Sequence, residues 1–149
     1  MKAIAKNKKA YFDYELLETY EAGIVLVGSE VKSIREGRVS LKESYAEVRE
    51  GELYLIGCHI GHYPPANRLN HPPLRDRKLL LHRREIKRLL GKIKERGLTL
   101  VPTRILISPR NRIKLELALA RGKRKHQKRE VIRERDRERE MQAELKRYR

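Results

Sequence analysis

Cysteine is almost missing from this chain: Cys58 is the single one, so no intrachain disulfide can form, a usage that fits a reducing compartment. Its neighbours Leu55, Ile56 and Ile60 are apolar, and it reads as a small buried side chain. Cys58, His59 and His62 make a crowded set without a second pair at ligand spacing, so neither a metal nor a cofactor is expected. No apolar run reaches the roughly 18 residues that suggest a membrane helix. The opening MKAIAKNKKAY is basic but lacks the apolar stretch of a secretory leader. The expected setting is the cytoplasm, away from membranes.

Signs of catalysis are equally sparse. Ser29, Ser33, Ser40 and Ser44 lie outside any Gly-x-Ser-x-Gly elbow. Gly122-Lys123-Arg124 lacks the upstream glycine and the Ser or Thr of a phosphate-binding loop. No paired carboxylate motif stands out, and the chain is not expected to be an enzyme.

What the chain has in abundance is positive charge. Its 149 residues carry 37 Lys and Arg against 20 Asp and Glu, a formal +17. Such an excess raises the local concentration of polyanions and speeds their capture. Basic clusters recur at Lys6-Asn7-Lys8-Lys9, at Arg75-Asp76-Arg77-Lys78 and from Arg121 through Lys123, Arg124, Lys125 and Lys128 to Arg129. Recurrence of this kind points to nucleic acid rather than to chance solvated faces.

Nearly all Val, Ile, Leu and Tyr lie in residues 1–120, expected to form a globular body. Residues 121–149 hold 13 Lys or Arg against 6 Asp or Glu and too few apolar side chains for a core of their own. In the body, residues 14–27 read as a strand that Gly28 breaks. Residues 29–35 read as a short helix with Ser29 as N-cap. Residues 44–49 and 52–56 flank Glu50-Gly51 as a hairpin, and residues 59–63 suggest a further short strand. Pro64, Pro65, Pro72 and Pro73 mark an Asn- and His-rich loop expected at the surface. Leu79, Ile86, Leu89, Leu90 and Ile93 predict a helix over residues 79–96, ended by Gly97. Within it, Gly91 calls for a close packing contact to offset its cost. Residues 98–107 and 113–120 read as strands joined by a turn at Arg110-Asn111, with Pro102 marking an edge or a bulge. The order predicts a mainly β fold with helices: an OB-type antiparallel β-barrel with one long and one short helix plus a basic C-terminal tail. In such a barrel most of the body's tyrosines pack inside, leaving one or two to stack on bases.

In the tail, opposite charges pair at Glu130/Arg133, Glu134/Arg137, Asp136/Arg139 and Glu144/Arg147 without an apolar stripe. The expected behaviour is a tail disordered alone that becomes helical against a polyanion. A solvated single helix without a partner is the alternative.

Taken in order, Asn7-Lys8-Lys9-Ala10, Glu21-Ala22-Gly23-Ile24, Gly28-Ser29-Glu30-Val31-Lys32-Ser33, Arg77-Lys78-Leu79-Leu80-Leu81-His82, Gly97-Leu98-Thr99-Leu100-Val101-Pro102 and Ala120-Arg121-Gly122-Lys123-Arg124 resemble the SsrA-binding protein family, also called SmpB. The resemblance implies an OB-type body that binds the tRNA-like domain of transfer-messenger RNA, the SsrA RNA. It implies trans-translation, in which that RNA enters bacterial ribosomes stalled on messages without a stop codon. The small ribosomal subunit and its RNA are then further partners, and the protein is expected to be a monomer.

By position, Asn7, Glu21 and Leu80 fall where the family has residues important for RNA binding. Lys8, Lys9, Glu30, Lys32, Arg75, Arg77 and Lys78 belong to the same matched or basic stretches. Gly122-Lys123-Arg124 matches a Gly-Lys-Lys element near the RNA elbow. Glu21 and Glu30 either accept hydrogen bonds from bases or 2′-hydroxyls or fix a neighbouring Lys or Arg. Leu80 is either a contact or core. In the tail, His126 falls where the family often has an aromatic residue or His able to stack in the decoding centre, and Lys128 and Arg129 match the end of an Asp-Lys-Arg element. Arg133 and Arg137 continue that tail toward the mRNA channel.

The chain departs from the family pattern in places. Gln127 replaces the usual Asp, Pro72 stands where Asp is common, and Ile105-Leu106-Ile107 lacks an aromatic pair. The Arg-Glu alternation of the tail is unusually regular. The competing reading is an OB-fold RNA-binding or ribosome-associated protein without SsrA specificity.

Overall fold

A computed structural model describes residues 1–122 and Arg139. The strands are β1 (Lys2–Lys6), β2 (Tyr14–Ile24), β3 (Val39–Ser40), β4 (Tyr45–Arg49), β5 (Glu52–Ile56), β6 (His59–Ile60), β7 (Arg77–Leu80), β8 (Thr99–Ile107) and β9 (Ile113–Gly122). The helices are α1 (Lys8–Asp13), α2 (Gly28–Arg35) and α3 (Arg83–Arg96), with a 3-10 turn over Pro64–Leu69. Antiparallel pairing gives one sheet in the order β1-β8-β9-β2-β7-β5-β4, and β3 pairs with β6 beside it. The far strand β4 comes against β8.

Alternation along the strands decides which face is buried. Leu115, Leu117 and Leu119 of β9 point inward with Leu53 and Leu55 of β5 and Leu79 of β7, all in one core. Each fully buried leucine contributes about 1.5–3 kcal/mol. Helix α3 closes this core with Leu89, which is fully buried, while Ile86 and Ile93 pack at its margin.

The hairpin falls where the sequence puts it: Glu50 and Gly51 both take positive φ, 51° and 77°, the twist a two-residue hairpin turn requires. Gly97 ends α3 at φ 61°, ψ 32°, and its N–H donates to the Ile93 carbonyl. Pro102 sits at a register shift in β8, a strand flanked by β1 and β9, so its missing N–H is accommodated by a bulge and not by an edge.

Other expectations need correction. The long helix starts at Arg83, because residues 77–80 form β7 between β2 and β5. Leu79 lies opposite both Leu53 and Ile24, and ladder bonds on two sides outweigh helical continuation. Val27, at φ −86° and ψ 164°, is the N-cap of α2, and Ser29 is buried within the helix. The histidine of the Pro-rich loop, His71, is also buried. Gly91 has no close neighbour around the place a Cβ would occupy, so packing does not explain it. Strands β1 and β7 and helix α1 carried too little periodicity to be read. Strand β9 continues through Arg121 to Gly122, opposite Glu15 and Tyr14. Among the described residues no helix is long and apolar enough to cross a membrane.

Candidate nucleic-acid interface

The outer face of the sheet is covered at one end and open at the other. At the covered end α1 lays Ala10 on Val101, Ala118 and Ala120, with Tyr14 and Leu16 at the margin. Asn7 holds this helix in place. Its Oδ1 accepts from the Ala10 N–H at 3.2 Å, and its Nδ2 donates to the carbonyls of Leu41 at 3.2 Å and Pro102 at 2.9 Å. The backbone N–H of Asn7 donates to the Thr103 carbonyl at 2.8 Å. With only 5% of its surface exposed, Asn7 is a fastening and not a contact residue. What it positions is Lys8 and Lys9, both exposed, with Lys9 3.1 Å from Glu43.

At the open end the cross-strand register puts Leu80, Gly23 and Lys114 in one row over β7, β2 and β9. Leu80 is 51% exposed, which answers the question of core or surface in favour of surface. A Cβ on Gly23 would stand 3.2 Å from Leu80 Cβ, so glycine is what lets Leu80 lie across β2. Beside this row lies a shallow hollow walled by Ile24, Leu26, Val31 and Ile113. Lys78 lies opposite Tyr54, its Nζ is 3.1 Å from Glu52, and Arg49 stacks over the Tyr54 ring at 5.5 Å.

Glu21 lies opposite Glu116, and like charges so placed repel. The structure removes one of them from play. Arg104 grips Glu116 through Nε at 2.9 Å and Nη2 at 2.8 Å, and Thr103 donates at 2.6 Å. The Arg104 guanidinium, helped by Thr103, holds the Glu116 carboxyl below the usual carboxylate range. Glu21 is exposed and has no ion pair among the described residues, leaving a free acceptor in a basic neighbourhood.

Glu30 and Arg77 belong elsewhere. Both side chains have no exposed surface. Arg77 Nε donates to Glu30 Oε2 at 2.6 Å, Nη1 to the Cys58 carbonyl at 2.5 Å and Nη2 to the Pro73 carbonyl at 3.2 Å. Arg75 closes the other side, donating to Glu30 Oε1 at 2.6 Å and to the Val25 carbonyl at 3.3 Å. Burial alone would push the Glu30 carboxyl up, but the bonds from Arg75, the Val27 N–H and Arg77 outweigh it and hold the group below its ordinary range. Of the two roles open to Glu30, fixing a neighbouring Arg is the one observed. Neither Glu30 nor Arg77 can touch RNA directly. They lock α2 to β7, and only Lys32, set over the Tyr63 ring at 5.5 Å, and the partly exposed Arg75 reach the surface.

Ser29 and His71 form a pair that could suggest a nucleophile and its base. Ser29 Oγ is 2.7 Å from His71 Nδ1, and His71 Nε2 is 2.9 Å from the Ile60 carbonyl. Since Nε2 must donate to that carbonyl, Nδ1 of the neutral ring accepts from the serine hydroxyl. With 7% and 3% exposure the pair is closed to a substrate and pins α2 to the Pro-rich loop. Cys58 is likewise buried, and burial pushes its thiol up to about 11.

Thus Glu21, Lys78 and Leu80 share the open end with Lys114, which the motif reading missed although the alternation of residues 113–120 marks it as outward. Lys8, Lys9 and Gly122 lie toward the covered end of the same sheet. Lys123, Arg124, His126, Lys128, Arg129, Arg133 and Arg137 lie outside the described residues.

The model of the family described as SmpB protein matches residues 4–147. The chain is 57% identical over 129 residues to the SsrA-binding protein of Symbiobacterium thermophilum, covering 87% of this chain and 82% of that one. It is 50% identical over 149 residues to the SsrA-binding protein of Thermosipho africanus, covering all of both chains. A solved chain described as "tmRNA-SmpB: a journey to the center of the bacterial ribosome" superposes with a TM-score of 0.68 at 48% identity, covering 87% of this chain and 94% of that one. A family match over nearly the whole length, on a fold with an open basic sheet face, identifies the chain as a member of the SmpB family.

Proposed function

We propose that this chain is an adaptor that binds the tRNA-like domain of transfer-messenger RNA and brings it to stalled bacterial ribosomes in trans-translation. The observation that carries the reading is the open end of the sheet, where exposed Leu80, half-buried Lys78 and Lys114, and Glu21, which has no ion pair among the described residues, stand together on one face. Cations hold phosphates, the apolar side chain meets a base or sugar, and Glu21 accepts from base N–H groups or a 2′-hydroxyl. Family membership supplies the identity of the RNA.

In this reading the body is an OB-type barrel, supported by the antiparallel order and by the approach of β4 to β8. Lys8, Lys9, Lys32 and Arg75 extend the contact, and Lys123 and Arg124 continue it from Gly122. The tail, with His126, Lys128, Arg129, Arg133 and Arg137, enters the decoding centre and the empty mRNA channel and becomes helical there. The protein works as a monomer in the cytoplasm, without cofactor and without catalysis of its own.

A tagging assay tests this. Translation of a message without a stop codon, supplied with transfer-messenger RNA, should yield tagged chains only when the protein is added. Untagged, unreleased chains in its presence would refute the adaptor role.

A further inference from the structure

We infer that Glu116 and Arg104 are positioning residues for RNA recognition, a role that rests on the proposed function because that reading makes Glu21 an acceptor for RNA. Glu116 keeps Arg104 occupied, so Glu21 stays free, and this division of one cation between two carboxylates sets the preference for the tRNA-like domain.

Cross-strand register sets charged side chains in one row: Lys6 of β1 stands opposite Arg104 of β8, Arg104 opposite Glu116 of β9, and Glu116 opposite Glu21 of β2. Residues directly opposite share a face of the sheet. On β2 that is the outer face, because the neighbours of Glu21, Tyr20 and Ala22, belong to the core. Two residues along the strands, about 7 Å, lies the next outward row, that of Gly23, Lys114 and Leu80. Glu21 is thus the member of the charged row that reaches the open end.

Glu116 stands between the cation and Glu21. It accepts two bonds from Arg104 and one from Thr103, and its side chain is 15% exposed. Glu21 is exposed and has no ion pair among the described residues. Lys6, the other cation, is at the far end of the row, 5.1 Å from the centre of the Tyr11 ring. Two strand spacings, about 10 Å, separate the backbones of Arg104 and Glu21. A guanidinium side chain and a carboxylate side chain together close that gap once Glu116 no longer holds the fork.

An ionised carboxylate only accepts, and each lone pair given to a guanidinium is withheld from a base N–H or a 2′-hydroxyl. An Arg104–Glu21 pair would have to break before RNA could be read. Stability alone does not call for Glu21, since like charges directly opposite weaken a sheet. Charge and recognition therefore predict opposite results when Glu116 is neutralised. One anion fewer attracts every phosphate more strongly, whereas release of Arg104 closes the acceptor.

The test is competition between the tRNA-like domain and a structured control RNA of equal length, run on the full chain and its variants. Glu116→Gln should bind the control RNA at least as tightly as the parent, yet lose at least about fivefold of the preference. Glu116→Gln/Arg104→Gln, with no guanidinium left to turn, should recover a preference within about twofold of the parent. A merely structural role for Glu116 predicts no recovery, because the double variant has lost the same bonds. In a Glu21→Gln chain, adding Glu116→Gln should leave the preference unchanged. NMR of the free protein follows the same exchange without RNA. Glu21→Gln should shift the Arg104 Nε–H signal in the Glu116→Gln chain and hardly move it in the parent. Undiminished preference in Glu116→Gln, no recovery in the double variant, or an Arg104 signal indifferent to Glu21 would each overturn the inference. A parent chain without preference between the two RNAs would refute the proposed function instead, and the Arg104 signal would still show whether the guanidinium changes partner.

Discussion

Arg77 and Glu30 meet inside the molecule, Nε to Oε2 at 2.6 Å, with neither side chain exposed to solvent. A cation and an anion with no access to water serve as structure, and here they join α2 to β7, the strand that carries Lys78 and Leu80. Removing one partner of a buried pair typically costs about 3–5 kcal/mol, because the other charge is left without compensation. Arg77→Met should lower stability in urea unfolding by that order. A loss below about 1 kcal/mol would mean the pair contributes specificity without stability.

The same carboxylate sets an acid limit. The carboxyls of Glu30 and Glu116 are held below their ordinary value of 4.5 in the folded state. A lowered folded value contributes stability that is present above the unfolded value and is lost as pH falls through the folded one. Melting temperature should therefore hold above pH 4.5 as far as these groups govern it and fall progressively below it. Glu30→Gln, though less stable throughout, should show a shallower acid limb. An identical acid limb would remove Glu30 from the account.

Leu80 separates binding from folding. It is half exposed, so Leu80→Ala should change stability by less than about 1 kcal/mol. Its affinity for the tRNA-like domain should fall about tenfold if the side chain meets a base. Gly23→Ala should weaken the same RNA, since the added Cβ would push against Leu80 at 3.2 Å. Full affinity in both variants, measured by filter binding, would move the site away from this row.

Cys58 reports on the core. Buried, with its thiol raised to about 11, it should resist alkylation at pH 8 until the protein unfolds. Rapid labelling of the native protein would show that the layer beneath Arg77 opens without global unfolding.

Much of this fold was legible because period and punctuation agree in β9, in the Glu50-Gly51 hairpin and at Gly97. Strand β7 was misread because Leu79 continues the apolar phase of α3, and a strand of four residues carries too little alternation to announce itself. The candidate site was legible as charge but not as geometry. Arg77 and Lys78 are adjacent in sequence, yet one is buried and the other faces out, a distinction that only the strand's alternation makes. The sequence leaves Glu30 open between an acceptor for RNA and a partner for a basic side chain, because the residues it fixes, Arg75 and Arg77, stand far along the chain. Lys114 was missed as a site residue because it belongs to no motif, although its place in the alternation is plain.

The division between body and tail has its own test. Truncation after Arg129 should leave affinity for the tRNA-like domain within about threefold, while tagging of stalled chains disappears. Loss of RNA affinity by orders of magnitude would contradict that division.

The most direct measurement is competition between the tRNA-like domain of transfer-messenger RNA and a structured control RNA of equal length, at physiological salt. Charge alone predicts near-equal binding, since phosphates are common to both. The open sheet face predicts a preference for the tRNA-like domain of more than tenfold, at least about 1.4 kcal/mol. Equal binding of the two RNAs would contradict the adaptor account and leave a general RNA-binding protein in its place.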